Sequence, residues 1–179
     1  MKHWILAALL AICAMSAAAQ SRTGKVNFAN SGASAAQEDF QVGLAQLHNF
    51  QYEEAERLFR QAEASDPNFA MAYWGEALTH VHPLWNYEDM AGARAVLQKL
   101  APTPDQRAGK AGTLREKEYL HSIEVLFGQG DRDTRNQRYA DALALLHEHY
   151  PQDVDAAALY ALSLLGKQLT RDPATYMRA

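Results

Sequence analysis

Residues 43–67 read GLAQLHNFQYEEAERLFRQAEASDP, and this stretch decides the fold. Tyr52 and Phe59 supply bulky side chains, and Asp66-Pro67 ends the second helix because proline cannot continue one. Small side chains at three further positions would let two helices approach closely: Gly43, Ala55 and Ala62. The stretch therefore predicts two helices packed against each other through small-to-large contacts.

The spacing resembles the tetratricopeptide repeat (TPR) family, whose unit is a helix–turn–helix of about 34 residues. Ala77 stands 34 residues after Gly43, at the equivalent position of a second unit. The positions that carry the resemblance are Gly43, Tyr52, Ala55, Phe59, Ala62, Pro67, Tyr73 and Ala77. The resemblance implies an all-α fold, a right-handed superhelix of antiparallel helix pairs (an α-solenoid), which binds other proteins rather than catalysing a reaction.

The units become less regular along the chain. We expect units at about 36–69 and 70–103, a divergent pair at 113–151 and an incomplete unit at 152–179. In the second unit we expect helices at 70–78 and 87–100, although Met90 and Arg94 replace the small and aromatic residues of the pattern. Thr113 and Glu116 form a capping-box motif that starts the third pair. No stretch shows the two-residue alternation of an amphipathic strand.

The first residues indicate export. Residues 1–19 combine a basic start at Lys2, an apolar run and an Ala-x-Ala cleavage site ending at Ala19, the pattern of a secretory signal peptide. An uncleaved anchor is the alternative, although the apolar run is shorter than a membrane span. We therefore expect a periplasmic or secreted protein in which residues 20–35 are a flexible lead-in to a helical domain at 36–179. Cleavage removes Cys13, the only cysteine.

Composition and motifs narrow the function class. The chain has 17 basic and 21 acidic residues, a formal net charge of −4, and scattered charges of this kind do not predict nucleic-acid binding. It contains no G-x-S-x-G, H-E-x-x-H, P-loop or dinucleotide-binding motif. We therefore expect a protein that is not an enzyme and has no cofactor. Asp172-Pro173 is a helix start with six residues after it, which favours an N-terminal fragment over a short complete protein.

The resemblance also implies a binding groove lined by the first helix of each pair. The positions that would face it are Phe40, Leu44, Trp74 and Leu78. The family's carboxylate clamp uses Lys and Asn at these places, and this chain departs from it at all four. We therefore expect an apolar groove that takes a protein or peptide segment, with Phe40 and Trp74 as anchors. The alternative interpretation is that these side chains pack within the protein.

Two histidines in the turn at 80–85 suggest a rival function. His80 and His82 would point about 200° apart in a helix, but Pro83 breaks helical geometry, so a turn could direct both to one ion. No Cys, Asp or Glu was found at ligand spacing beside them, and surface or capping roles are therefore favoured. The rival hypotheses are a metal-dependent protein that combines this pair with residues beyond the C-terminus, and a structural domain packed on a catalytic one.

Overall fold

The computed structural model describes residue 24 and residues 26–166. Within this part the chain is all-α, as expected, apart from one short hairpin. The α-helices are α1 (Gln37–His48), α2 (Tyr52–Ser65), α3 (Ala70–Thr79), α4 (Met90–Leu100), α5 (Pro104–Ala108), α6 (Leu114–Leu126), α7 (Arg132–His149) and α8 (Val154–Gly166). The predicted signal peptide with Cys13, and the predicted helix start at Asp172-Pro173, lie outside the described residues.

Helices that follow each other in the chain pack side by side. The pairs α1 with α2, α2 with α3, α3 with α4, α6 with α7 and α7 with α8 are in contact. Helix α3 also packs against α1 and α6, so the first helices of the three predicted pairs are neighbours. One continuous apolar core runs through these contacts.

The small-to-large packing predicted from residues 43–67 centres on Phe59. This ring is fully buried between two glycines, Gly43 on α1 and Gly75 on α3. A Cβ at Gly43 would lie 3.2 Å from the ring, and one at Gly75 would lie under 3.0 Å from three ring atoms. The missing side chains therefore let α1 and α3 close on α2. The alanines of the pattern are also fully buried: Ala55, Ala62 and Ala77.

Two other pattern residues lie next to the turns that join these helices. The Tyr73 hydroxyl donates a hydrogen bond to the Pro67 carbonyl at 3.2 Å. This bond joins α3 to the turn that precedes it. Tyr52 begins α2 and is partly buried against the core.

The turn after α3 differs from the expected one. Residues 81–82 (β1) and 87–88 (β2) form a two-stranded antiparallel hairpin, with Val81 opposite Glu88 and His82 opposite Tyr87. A 3-10 turn at Pro83–Trp85 and a left-handed Asn86 (φ 55°) join the strands. The prediction that a helix begins at residue 87 was wrong because the Asp89 carboxylate caps α4 by accepting from Gly92 N at 3.0 Å.

Two helix starts illustrate capping. Thr113 begins α6 as predicted, with its hydroxyl accepting from Glu116 N at 3.1 Å. The Glu116 carboxylate instead accepts from the backbone N and hydroxyl of Ser31 at 2.7 and 2.8 Å. A complete capping box occurs at Thr103 and Gln106. It starts the short helix α5, which the helical periodicity did not indicate.

Candidate binding site

The four residues predicted to line a groove are in the core. Phe40, Leu44 and Trp74 are 0% exposed, and Leu78 is 6% exposed. They therefore do not present anchors to a partner on an open surface. This arrangement agrees with the alternative interpretation, in which these side chains pack within the protein.

Phe28 covers the face where the groove was expected. Its ring lies 5.8 Å from Trp74 and 5.6 Å from Phe40, centroid to centroid, and 5.0 Å from Tyr119 on α6. Its backbone N donates to the Gln41 side-chain oxygen at 3.0 Å, and the Gln41 amide donates back to the Phe28 carbonyl at 2.8 Å. An extended segment of the same chain is therefore seated on the first-helix face.

The rest of this segment is also fixed in place. Residues 26–35 were expected to be part of a flexible lead-in, yet Ser31 is bonded to Glu116, and the Arg115 guanidinium lies 4.1 Å above the Phe28 ring. Arg115 also donates to the Ala29 carbonyl at 2.8 Å. The polar, glycine-containing composition of residues 26–35 did not predict this docking. The reason is that the buried side chain of the segment is a single aromatic residue, Phe28.

An open apolar cavity lies at the other end of the first helices. Its volume is about 180 Å³, and it is bounded by the C-terminal ends of α1, α3 and α6, the hairpin, and one face of α8. Its apolar walls include Leu47, Leu78, Val81, Leu126, Leu159 and Leu162. Leu78 is the only predicted groove residue that reaches it. The cavity was not predicted because α8 and the hairpin meet it only in the tertiary structure.

Exposed aromatic side chains stand beside the cavity. Phe50 lines it and is 36% exposed, and Trp85 packs edge-on against Phe50 at 5.7 Å with 61% of its own surface exposed. We call Phe50, Tyr52 and Trp85 the aromatic rim. Large exposed apolar side chains that cluster next to a cavity are typical of binding surfaces.

Tyr52 gives the rim a polar group. Its ring is stacked on His82 at 3.7 Å between centroids. Burial raises the pKa of the Tyr52 hydroxyl to about 12, so this group stays protonated at neutral pH. The hydroxyl has no hydrogen-bond partner among the described residues. The hydroxyl is itself buried, so a ligand reaches it only after the rim side chains move.

A charge network with two buried carboxylates, Glu63 and Glu76, lies between α2, α3 and α4. Lys99 donates to Glu63 and Glu76, each at 3.0 Å, and Arg60 Nε donates to Glu76 at 2.6 Å. Burial, followed by the adjacent Glu76, raises the pKa of Glu63 to about 8 against the opposing effect of Lys99. Burial opposes ionisation of Glu76 as well, but hydrogen bonds from Glu63, Arg60 and Lys99 lower its pKa.

The structure separates the roles of the two candidate metal ligands. His82 Nε2 lies 3.0 Å from the Thr79 carbonyl, whereas His80 Nδ1 faces the Asp89 carboxylate at 3.3 Å.

In the described part of the chain, the donors that lie close enough for one ion are Glu56, Glu76 and His80. Glu76 precedes His80 by four residues, so the two share a helix face. The expectation that no acidic residue lies at ligand spacing beside the histidines was therefore wrong.

Over residues 26–166, no helix is both long and apolar enough to cross a bilayer. No protein-family model matches this chain, and comparison with curated proteins and with solved structures gives no match either.

Proposed function

We propose that this chain is an exported, TPR-like scaffold that binds a partner protein by taking one apolar side chain of the partner into the cavity between α1, α3, α6 and α8. One observation carries the proposal: an open cavity with aliphatic walls lies directly beside exposed aromatic side chains. The position differs from the groove that the family resemblance implies. Phe28 already covers that face, whereas the cavity is open.

The volume of the cavity limits which side chain of a partner it can hold. An apolar cavity of roughly 150 Å³ holds one benzene ring, so about 180 Å³ suits one aromatic or branched aliphatic side chain. Burying such a side chain contributes about 2 kcal/mol, or about 30-fold in affinity.

The TPR-like architecture is supported by local pattern and by packing. Phe59 packs against Gly43, as the family spacing implies, and the first helices α1, α3 and α6 are neighbours. Export is supported by the sequence of residues 1–19. The TPR-like architecture predicts a protein that binds other proteins, and export predicts that it acts outside the cytoplasm.

A plug in the cavity tests the binding site. Ala158 lines the cavity from the exposed side of α8, so Ala158→Trp should fill the space with little effect on the core. Peptides selected from a random displayed library on the unmodified protein should share one aromatic or branched aliphatic residue. Their affinity, measured by fluorescence anisotropy, should fall at least tenfold in the plugged variant.

Val154→Trp is the matched control. Val154 is exposed on the same helix but does not line the cavity, so this variant should bind the selected peptides as the unmodified protein does. Equal affinity in the plugged variant and the control, or failure of the library to yield any binder, would contradict the proposal.

A further inference from the structure

We propose that Glu56, Glu76 and His80 form a binding site for a divalent transition-metal ion, with Zn²⁺ as the best match to their donor atoms. One ligand atom from each residue lies within 4.8 Å of the other two. Imidazole nitrogen and carboxylate oxygen are both zinc ligands, and three protein ligands leave a fourth position for water or another ligand. This site lies apart from the cavity and does not depend on the proposed partner binding.

His80 is already oriented as a metal ligand. Its Nδ1 faces the Asp89 carboxylate, the arrangement in which a second carboxylate fixes the ring of a metal-bound histidine. Its Nε2 is buried and has no hydrogen-bond partner among the described residues. A buried nitrogen without a partner is costly unless something binds it, and an ion held by the two glutamates would do so.

A glycine makes room for this pair. A Cβ at Gly92 would lie under 3.0 Å from the Asp89 carboxylate and from the His80 ring. The close approach of α4 to the end of α3 therefore requires glycine at this position. Gly92 therefore packs directly against the His80–Asp89 contact.

Arg60 holds the two carboxylates in the absence of an ion. Its guanidinium pairs with both Glu56 and Glu76, so a positive charge already bridges the two carboxylates that would bind the metal. The Arg60 side chain is 56% exposed, and it is able to move into solvent when an ion replaces it. Two carboxylates and a neutral imidazole also balance the charge of a divalent cation.

The required adjustment is small. A zinc ion bound at about 2.1 Å from each donor in tetrahedral geometry keeps those donors roughly 3.5 Å apart. Since the donors lie within 4.8 Å of one another, no pair has to close by more than about 1.3 Å. Glu56 is partly exposed, so its carboxylate is able to move toward the ion. Glu76 is buried, at 1% exposure, so its carboxylate keeps its position. Lys99 remains on the other oxygen of Glu76.

Zinc titration of the chelator-treated full chain tests the site. We expect one equivalent of Zn²⁺ by isothermal titration calorimetry, and Co²⁺ in its place should give the visible absorption of a low-coordinate cobalt site. His80→Gln and Glu56→Gln should each weaken Zn²⁺ binding at least tenfold. Arg60→Gln should strengthen it several-fold, because it removes the competing cation.

His121→Gln is the matched control for the histidine substitution. His121 is exposed on α6, in a shallow surface pocket with Glu118 and His149, so zinc bound there would respond to this variant instead. Circular dichroism identifies any variant that fails to fold. If His80→Gln does not fold, the opposite shifts expected for Glu56→Gln and Arg60→Gln still decide the outcome. Binding that is absent, or that is unaffected by the Glu56 and Arg60 variants, would overturn the proposal.

Discussion

Replacing Gly75 by alanine should destabilise the protein although alanine is the better helix former. In an exposed helix the change would gain about 1 kcal/mol. Here the new Cβ would lie under 3.0 Å from three atoms of the Phe59 ring, which is fully buried. Overpacking a core costs roughly 1–3 kcal/mol, and the upper end applies because the ring has no free space to enter.

The net loss is therefore about 2 kcal/mol in the free energy of unfolding. For a chain of this size this corresponds to a melting temperature lower by roughly 4–8 °C. Urea unfolding followed by circular dichroism, together with a thermal scan, measures both quantities. The denaturant slope should stay unchanged, because the variant exposes the same surface on unfolding.

Gly43→Ala is the matched control, because it meets the same ring from the opposite helix at 3.2 Å. Its smaller overlap is offset by helix propensity, so its stability should stay within about 1 kcal/mol of the unmodified protein. Adding Phe59→Leu should rescue Gly75→Ala, giving a double variant less destabilised than the sum of the single ones. If Gly75→Ala is as stable as the unmodified protein, Phe59 is not the wedge between these helices.

Three further substitutions probe the core and its charges. Trp74→Ala should cost about 3–5 kcal/mol in urea unfolding because the ring is fully buried, and a loss below 1 kcal/mol would show that the ring is not part of the core. Glu63 binds a proton in the folded state up to about pH 8, against 4.5 for the ordinary side chain, so stability should fall as pH rises between these values. Glu63→Gln should abolish this slope, and parallel pH profiles of the two proteins would refute the assignment. Arg107→Met leaves Glu124, its partner at 2.5 and 2.7 Å, without a counter-charge and should cost about 3 kcal/mol; unchanged stability would show that the pair contributes nothing.

The helical pairs were predictable because their signals are local. The 3- and 4-residue spacing of apolar side chains, the stop at Pro67 and the cap at Thr113 all act within a few turns of one helix. A helix was predicted at 70–78, and the structure has it at Ala70–Thr79. The strand residues 81–82 and 87–88 were missed because a two-residue strand has no periodicity to detect.

The candidate sites were harder to predict because they depend on which segments meet. Phe28 is the clearest case. Nothing in the composition around it distinguishes it from a residue of a flexible segment, and its burial depends on Trp74 and Tyr119, which lie far away in the chain. The same reason explains why residues expected to face a partner are covered by the chain itself.

By itself, the sequence determined most of the helical stretches and the small residues of the first helix pair, because periodicity and side-chain size act between near neighbours in the chain. Only the tertiary structure decided which surfaces remain open. The cavity requires α8 to meet the ends of helices from earlier pairs, and the Glu56, Glu76 and His80 cluster requires α2 to bring a carboxylate beside α3. Such meetings depend on the packing angles of whole helices, which no short pattern of residues specifies.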